Sequence, residues 1–306
     1  MEKQKQGGLV EVGMMLMILS MFMAPVVGTM GKWMSSSISV GEIAWGRFFF
    51  QFIFLLPFAI AARRGMGPHI GLQILRGALM ALATLLFFAA VRVLPLADAM
   101  AIFFVEPLIL TIMSSYFLGE TIGWRRWTAI LVGFSGALIV IQPSYRVFGL
   151  EAVFPIGTAF CLAGYLVLTR RLVVKGDALM LQVSSSLFGC LTLALALVVG
   201  HTLEFETLTL TWPTSFQWSY FAIMAAIATV VHLLIVYAFR LARASILAPF
   251  QYIEIISATT LGFFVFGEFP DSEKWLGILV IIVSGLYVYH RERTLARDNE
   301  SEKVKI

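Results

Sequence analysis

Residues 90–120 read AVRVLPLADAMAIFFVEPLILTIMSSYFLGE, and residues 238–268 read AFRLARASILAPFQYIEIISATTLGFFVFGE. Shifted by 148 positions without a gap, the two stretches agree at Ala90 and Ala238, Arg92 and Arg240, Glu106 and Glu254, and Thr111 and Thr259. Gly119-Glu120 falls on Gly267-Glu268. The register continues beyond them, with Trp127 on Trp275, Ile130-Leu131-Val132 on Ile278-Leu279-Val280, Leu138 on Leu286 and Val140 on Val288. Apolar helices match by chance among Leu, Ile and Val. A shared arginine, glutamate, threonine, Gly-Glu pair and tryptophan in one ungapped register rarely arise that way. The chain reads as a duplication, with a first repeat over 1–148, a second over 149–293 and a charged tail over 294–306.

Outward from these stretches the chain is almost continuously apolar. Of its 306 residues 59% are hydrophobic and 13% charged, with a mean hydropathy of +0.90; a soluble domain carries roughly 25% charged residues. The apolar residues fall in runs of about twenty, the length that crosses a hydrocarbon core of roughly 30 Å. They predict ten helices, near 9–30, 39–62, 71–91, 97–118, 127–142, 150–169, 179–199, 217–239, 245–267 and 275–290. The first run has no clean small-residue cleavage site, so it reads as a span and not as a signal peptide. The longest connection, 201–216, carries Glu204, Glu206, Trp212 and Pro213 and reads as an interfacial loop. So little chain lies outside the spans that no soluble catalytic domain fits there, and backbone polar groups must be satisfied inside helices.

The cations orient the bundle. With the N-terminus inside, 17 of the 22 Lys and Arg fall on the cytoplasmic side: Lys3 and Lys5; Arg63, Arg64 and Arg76; Arg125 and Arg126; Arg170, Arg171 and Lys175; Arg240 and Arg243; and five from Arg291 to Lys305. Only Lys32, Arg92, Arg146 and Lys274 fall outside, and Arg47 lies within a helix. Cytoplasmic loops are enriched in Lys and Arg, so this alternation predicts both termini inside. Five helices per repeat is an odd number, so the second copy is inverted in the membrane. Inverted repeats supply two related conformations by exchanging the roles of the halves, with a binding site near the midplane between them.

The residues that carry the repeat also carry a resemblance. Leu96-Ala-Asp-Ala-Met-Ala-Ile-Phe-Phe-Val-Glu-Pro-Leu-Ile-Leu110 with Phe117-Leu-Gly-Glu120, the segment Arg76-Gly-Ala-Leu79, and Ala129-Ile-Leu-Val-Gly-Phe-Ser-Gly-Ala-Leu-Ile-Val140 are similar to the EamA domain of the drug/metabolite transporter superfamily. Nearly the whole chain is covered, as two such domains. The resemblance implies ten helices with both ends inside and a central cavity lined mainly by helices 1, 3, 4, 6, 8 and 9. It also implies transport of small metabolites, often export of amino acids or related compounds. The second repeat departs from the pattern: Gln251-Tyr-Ile-Glu254 has no proline after its glutamate.

Ionisable side chains inside a membrane are costly and mark function, partners or water. Glu106 lies about ten residues into the fourth predicted helix and Glu254 at the same depth in the ninth. A pair of membrane carboxylates related by the repeat suits a proton or a cationic substrate group. Pro107 removes a helix hydrogen bond beside Glu106 and predicts a bend. Arg47 faces either a structural carboxylate, such as Glu42 or a glutamate across the bundle, or an anionic substrate group; Arg76 is expected to bias anionic groups with it. His232, in the eighth helix, is a candidate proton relay or a satisfied buried histidine. Gln251, Tyr252, Phe103, Trp45 and Tyr237 are further substrate-binding candidates, because an aromatic wall with a few polar groups suits small organic ligands. Asp98 reads as a helix N-cap, and Gly119-Glu120 and Gly267-Glu268 as helix ends. Small residues such as Gly77, Ala81, Gly133, Gly136, Ala163 and Gly164 permit close helix contact.

No phosphate loop, metal-ligand spacing or catalytic triad is present, and Cys161 and Cys190 lie in apolar runs without redox spacing. The expectation is a multi-pass inner (plasma) membrane protein, neither enzyme nor nucleic-acid binder, without cofactor or metal. It moves a small metabolite, an amino acid or related amine or organic compound, by alternating access with proton coupling or exchange. A monomer suffices and a dimer is allowed. The alternatives are a membrane-embedded non-transport protein and a lipid-modifying enzyme or flippase.

Overall fold

The computed structural model describes residues 2–63, 65, 69–94, 96–141, 150–174, 176–266 and 272–304. Among them the chain is helical throughout, without strands. In chain order the helices are α1 (Glu2–Met34), α2 (Val40–Ala62), α3 (Ile70–Val93), α4 (Leu96–Phe103), α5 (Glu106–Leu118), α6 (Trp124–Ile141), α7 (Val153–Val173), α8 (Ala178–Thr202), α9 (Ser215–Leu241), α10 (Ala244–Leu247), α11 (Ile253–Phe266) and α12 (Ser272–Val304). Single 3-10 turns at Leu150–Ala152 and Glu206–Leu208 precede α7 and α9, and a third, Ala248–Tyr252, joins α10 to α11.

Six stretches are long and apolar enough to cross a bilayer: Leu9–Met34, Val40–Ala62, Ile70–Val93, Leu150–Val173, Ala178–Thr202 and Ser215–Leu241; Glu106–Leu118 and Trp275–His290 are shorter apolar helices. The sequence predicts one helix over 97–118, bent at Pro107, and one over 245–267, and the structure parts both into two helices. The first parts at Phe104-Val105, directly before Glu106-Pro107, where proline occupies the first turn of α5 and needs no amide donor. The second parts through the 3-10 turn Ala248–Tyr252, which carries Pro249. Shifted by 148 positions, α4, its break and α5 fall on α10 with its 3-10 turn and on α11. The last helix also overruns expectation: α12 continues through the charged tail to Val304.

Exchanging the two halves maps most of the main helix contacts onto one another. The helix α1 packs on α9, and α7 on α3; α1 packs on α11, and α7 on α5; α2 packs on α9, and α8 on α3. The pairs α2·α8 and α6·α12 each join a helix to its own counterpart. Small residues set these approaches. A Cβ at Gly77 would lie 2.6 Å from Phe188 Cβ, and one at Gly136 would lie 3.0 Å from the Gly277 carbonyl oxygen. Large apolar side chains such as Phe58, Leu195, Ile223 and Leu286 cover the outside, as expected of a surface whose solvent is lipid.

The ends are tied by polar contacts. The Glu42 carboxylate accepts from Thr211 N at 2.6 Å and Thr211 Oγ1 at 2.8 Å, and Ser39 Oγ donates to the Thr209 carbonyl at 2.7 Å. These bonds strap the 201–216 connection, with Trp212 89% exposed, onto the start of α2. At the opposite end of the bundle, Glu120 accepts from Ala244 N (3.2 Å), Ser245 N (3.0 Å) and Ser245 Oγ (2.7 Å), with Arg170 Nε at 3.9 Å. Gly119 lets α5 end there: it is the left-handed C-cap, φ +65° and ψ +25°. The counterpart pair Gly267-Glu268 lies outside the described residues, as does the Asp98 side chain.

Candidate functional site

The two helix breaks face each other in the interior. Phe104 and Tyr252, related by the 148-residue shift, have ring centroids 6.0 Å apart. Two residues on in each copy, Glu106 and Glu254 lie close enough to interact electrostatically. Glu106 is buried in the first turn of α5; Glu254, in the first turn of α11, is part-buried. Gln251 stands beside the Glu106 carboxyl, yet Glu106 Oε1 and Gln251 Nε2 are both buried without a hydrogen-bond partner. The Tyr252 hydroxyl is likewise buried and unpartnered, near Glu106. A Cβ at Gly133 would lie 2.6 Å from the Tyr252 ring, so glycine makes the room that ring occupies. Phe103 closes the group from α4, its ring centroid 5.4 Å from Phe104 and 5.8 Å from Phe87.

Two facing carboxylates in a low-dielectric interior repel one another unless a proton or cation intervenes. Buried polar atoms without partners are rare in folded proteins. Here Glu106, Gln251 and Tyr252 supply an acceptor, a donor and a hydroxyl at one place, which suits a polar ligand with a positive centre.

Arg47 belongs to a second group. Its Nη2 lies 3.4 Å from His232 Nε2, its Cζ sits 4.5 Å above the Phe48 ring, and its Nε is buried without a partner. Glu42 is turned to Thr211, so the ion pair with Arg47 that the spacing allows does not form. Arg76 is a clamp. It is 0% exposed, and it donates from Nε to Thr169 Oγ1 (2.7 Å), from Nη1 to the Leu181 carbonyl (2.7 Å) and from Nη2 to Tyr165 Oη (3.0 Å). It ties α3 to α7 and α8 and is not the loop cation the charge count takes it for.

The remaining aromatic candidates lie apart. Trp45 stacks on Phe49 at 4.9 Å and meets Trp218 edge-on at 6.4 Å. Two residues along a helix turn a side chain by about 200°, so Trp45 and Arg47 point to opposite sides of α2. Tyr237 is 41% exposed.

The family model described as "EamA-like transporter family" matches residues 11–142 and again 150–289. The chain belongs to the EamA-like transporter family. It is a multi-pass inner-membrane protein. Among relatives within the drug/metabolite transporter superfamily, it is 26% identical over 296 residues to the S-adenosylmethionine uptake transporter of Rickettsia prowazekii (strain Madrid E), covering 95% of this chain and 97% of that one. It is 25% identical over 292 residues to the riboflavin transporter of Rhizobium johnstonii, covering 92% of each. It is 26% identical over 280 residues to the pseudopaline exporter of Pseudomonas aeruginosa (strain UCBPP-PA14), covering 90% and 95%. A crystal structure 15% identical in sequence superposes with a TM-score of 0.75 over 95% of this chain and 99% of its own, so the fold has been seen before. These relatives are named as transporters of small molecules, and none of the three names is that of a free amino acid.

Of the candidates named from sequence, Glu106, Glu254, Gln251, Tyr252 and Phe103 lie at the two helix breaks, and Arg47, His232, Trp45 and Tyr237 lie apart from them. Sequence reading passes over Gln51, which is 0% exposed with both amide atoms unpartnered. The available signal was its place one turn after Arg47 on an apolar helix, since glutamine at such a depth needs a partner.

Proposed function

We propose that this protein is a secondary transporter that moves a small metabolite with a cationic centre across the inner membrane by alternating access. Ten spans in two inverted five-helix repeats, 1–148 and 149–293, have both termini inside, and one chain suffices. Glu106 and Glu254 bind the positive centre or, in its absence, a proton. Gln251 and Tyr252 orient the ligand, and Phe103 walls the site. The observation that carries this reading is the meeting of repeat-related residues, Phe104 with Tyr252 and Glu106 with Glu254, at two helix breaks. Broken helices at a repeat interface are where secondary transporters hold substrates. The same place gives each half one carboxylate to exchange between the two facing states.

The names of the relatives put S-adenosylmethionine first among the candidates, because its sulfonium is a fixed cation that a pair of carboxylates recognises. Proton coupling and exchange both follow from a carboxylate that holds either a proton or the substrate.

The test is a thermal-unfolding screen of the purified full-length protein against S-adenosylmethionine, riboflavin, polyamines, nucleosides and amino acids at pH 6 and pH 8. A ligand bound only by the folded state at 100 times its Kd adds about 2.7 kcal/mol. The expected result is a rise in midpoint with a cationic or zwitterionic ligand, abolished in Glu106→Gln or Glu254→Gln. A ligand whose stabilisation survives both substitutions places the site elsewhere and overturns this reading.

A further inference from the structure

The group around Arg47 has donors and no anion. A guanidinium only donates hydrogen bonds, so at the Arg47–His232 contact the imidazole Nε2 is the acceptor and the ring proton sits on Nδ1. That Nδ1 is buried without a partner, as is Arg47 Nε. Gln51, one turn after Arg47 on the same face of α2, is 0% exposed, and its amide nitrogen and oxygen are both unpartnered. Three donors on α2 and α9 therefore end in the interior with nothing to donate to.

The surroundings deepen the imbalance. His232 lies in the field of Arg76 as well as that of Arg47. Across from α2, Phe48 packs where a Cβ on Gly189 of α8 would sit, 2.6 Å away. Ser185, one turn before Gly189, has an unpartnered buried hydroxyl. Among the described residues no Asp or Glu forms an ion pair with Arg47 or Arg76. A buried charge is tolerated when it is paired, and among the described residues these two guanidiniums have no carboxylate as an ion-pair partner.

We infer that Arg47, Gln51 and His232 form an anion-binding pole that takes a carboxylate or phosphate group of the transported molecule. On the proposed reading that Glu106 and Glu254 hold a positive centre, the substrate is a zwitterion or a larger molecule carrying both charges, bound with one charge at each pole. Arg76, which ties α3 to α7 and α8 and already donates to three neutral acceptors, is not part of the pole.

The probes are sodium acetate and sodium phosphate, each compared with sodium chloride at equal ionic strength and pH, with thermal unfolding of the full-length protein in detergent as the readout. Phosphate stabilises folded proteins unspecifically by exclusion from their surfaces, so the quantity read is the shift in wild type minus the shift in Gln51→Leu. The expected difference is about 2 °C or more, with acetate if the pole takes carboxylates and with phosphate if it takes phosphoryl groups. Measured the same way against Gln51→Leu, the excess shift should be absent for Arg47→Gln and present for Glu106→Gln. If Arg47→Gln does not fold, Gln51→Leu, which changes no charge, still decides. No anion-specific difference with either probe overturns the inference and leaves the glutamate site standing. A difference that survives Arg47→Gln overturns it as well. A specific anion effect together with ligand binding that ignores both glutamates supports this pole and removes the reading of the glutamates.

Discussion

At the scale of single residues, three polar side chains at membrane depth have three different fates. Glu106 keeps an unpartnered oxygen beside its repeat mate, Arg47 an unpartnered nitrogen beside a histidine, and Arg76 is fully satisfied by neutral acceptors. Hydrogen bonds to charged groups contribute about 1.5–3 kcal/mol each, so Tyr165→Phe, which strands one Arg76 donor in the interior, should lower the unfolding midpoint by several degrees. An unaltered midpoint would mean that the clamp does not hold α3 to α7. The depth of Glu106, Glu254 and Arg47 is legible in the sequence because apolar runs fix how far along a helix each lies. Rotation is not legible: nothing in a nearly uniform apolar helix says which side faces a neighbour. Trp45 and Arg47, both binding candidates in sequence, therefore diverge in space. Arg76, six residues past the start of α3, looks like a loop cation until three acceptors from α7 and α8 are seen around it.

At the scale of elements, the breaks in the fourth and ninth predicted helices govern the site. Pro107 announces the first. The second has no proline after its glutamate; Pro249, five residues before Glu254, lies in its 3-10 turn. Glu120 acts beyond its own helix. By accepting from Ala244 N, Ser245 N and Ser245 Oγ, it joins the end of α5 to the start of α10 and closes one end of the bundle over the broken helices. Glu120→Ala removes all of these acceptors. We expect amide hydrogen exchange across Ala244–Leu247 to quicken at least tenfold, the factor that about 1.4 kcal/mol gives, while exchange in mid-α6 stays as it was. Unchanged exchange at Ala244 and Ser245 would show that the contact is incidental to opening. The Gly-Glu repeat marks this position in sequence, but the partner, 124 residues away, is visible only in the fold.

At the scale of the whole molecule, the main helix contacts of the first half recur in the second when the halves are exchanged. The duplication was legible because Arg, Glu, Thr, Gly-Glu and Trp cannot be confused with lipid-facing filler. The ligand was not, since its recognition depends on which orphaned polar atoms converge, and convergence belongs to the tertiary structure. The account stands on the repeat-related glutamates forming the substrate site of an alternating-access carrier. The measurement that tests this most directly is trans-stimulated exchange in proteoliposomes, with the ligand that stabilises the protein most, beginning with labelled S-adenosylmethionine. The account predicts exchange by wild type that falls about tenfold or more, ~1.4 kcal/mol in the barrier, in Glu106→Gln and in Glu254→Gln separately. Exchange at the wild-type rate in both variants would contradict it.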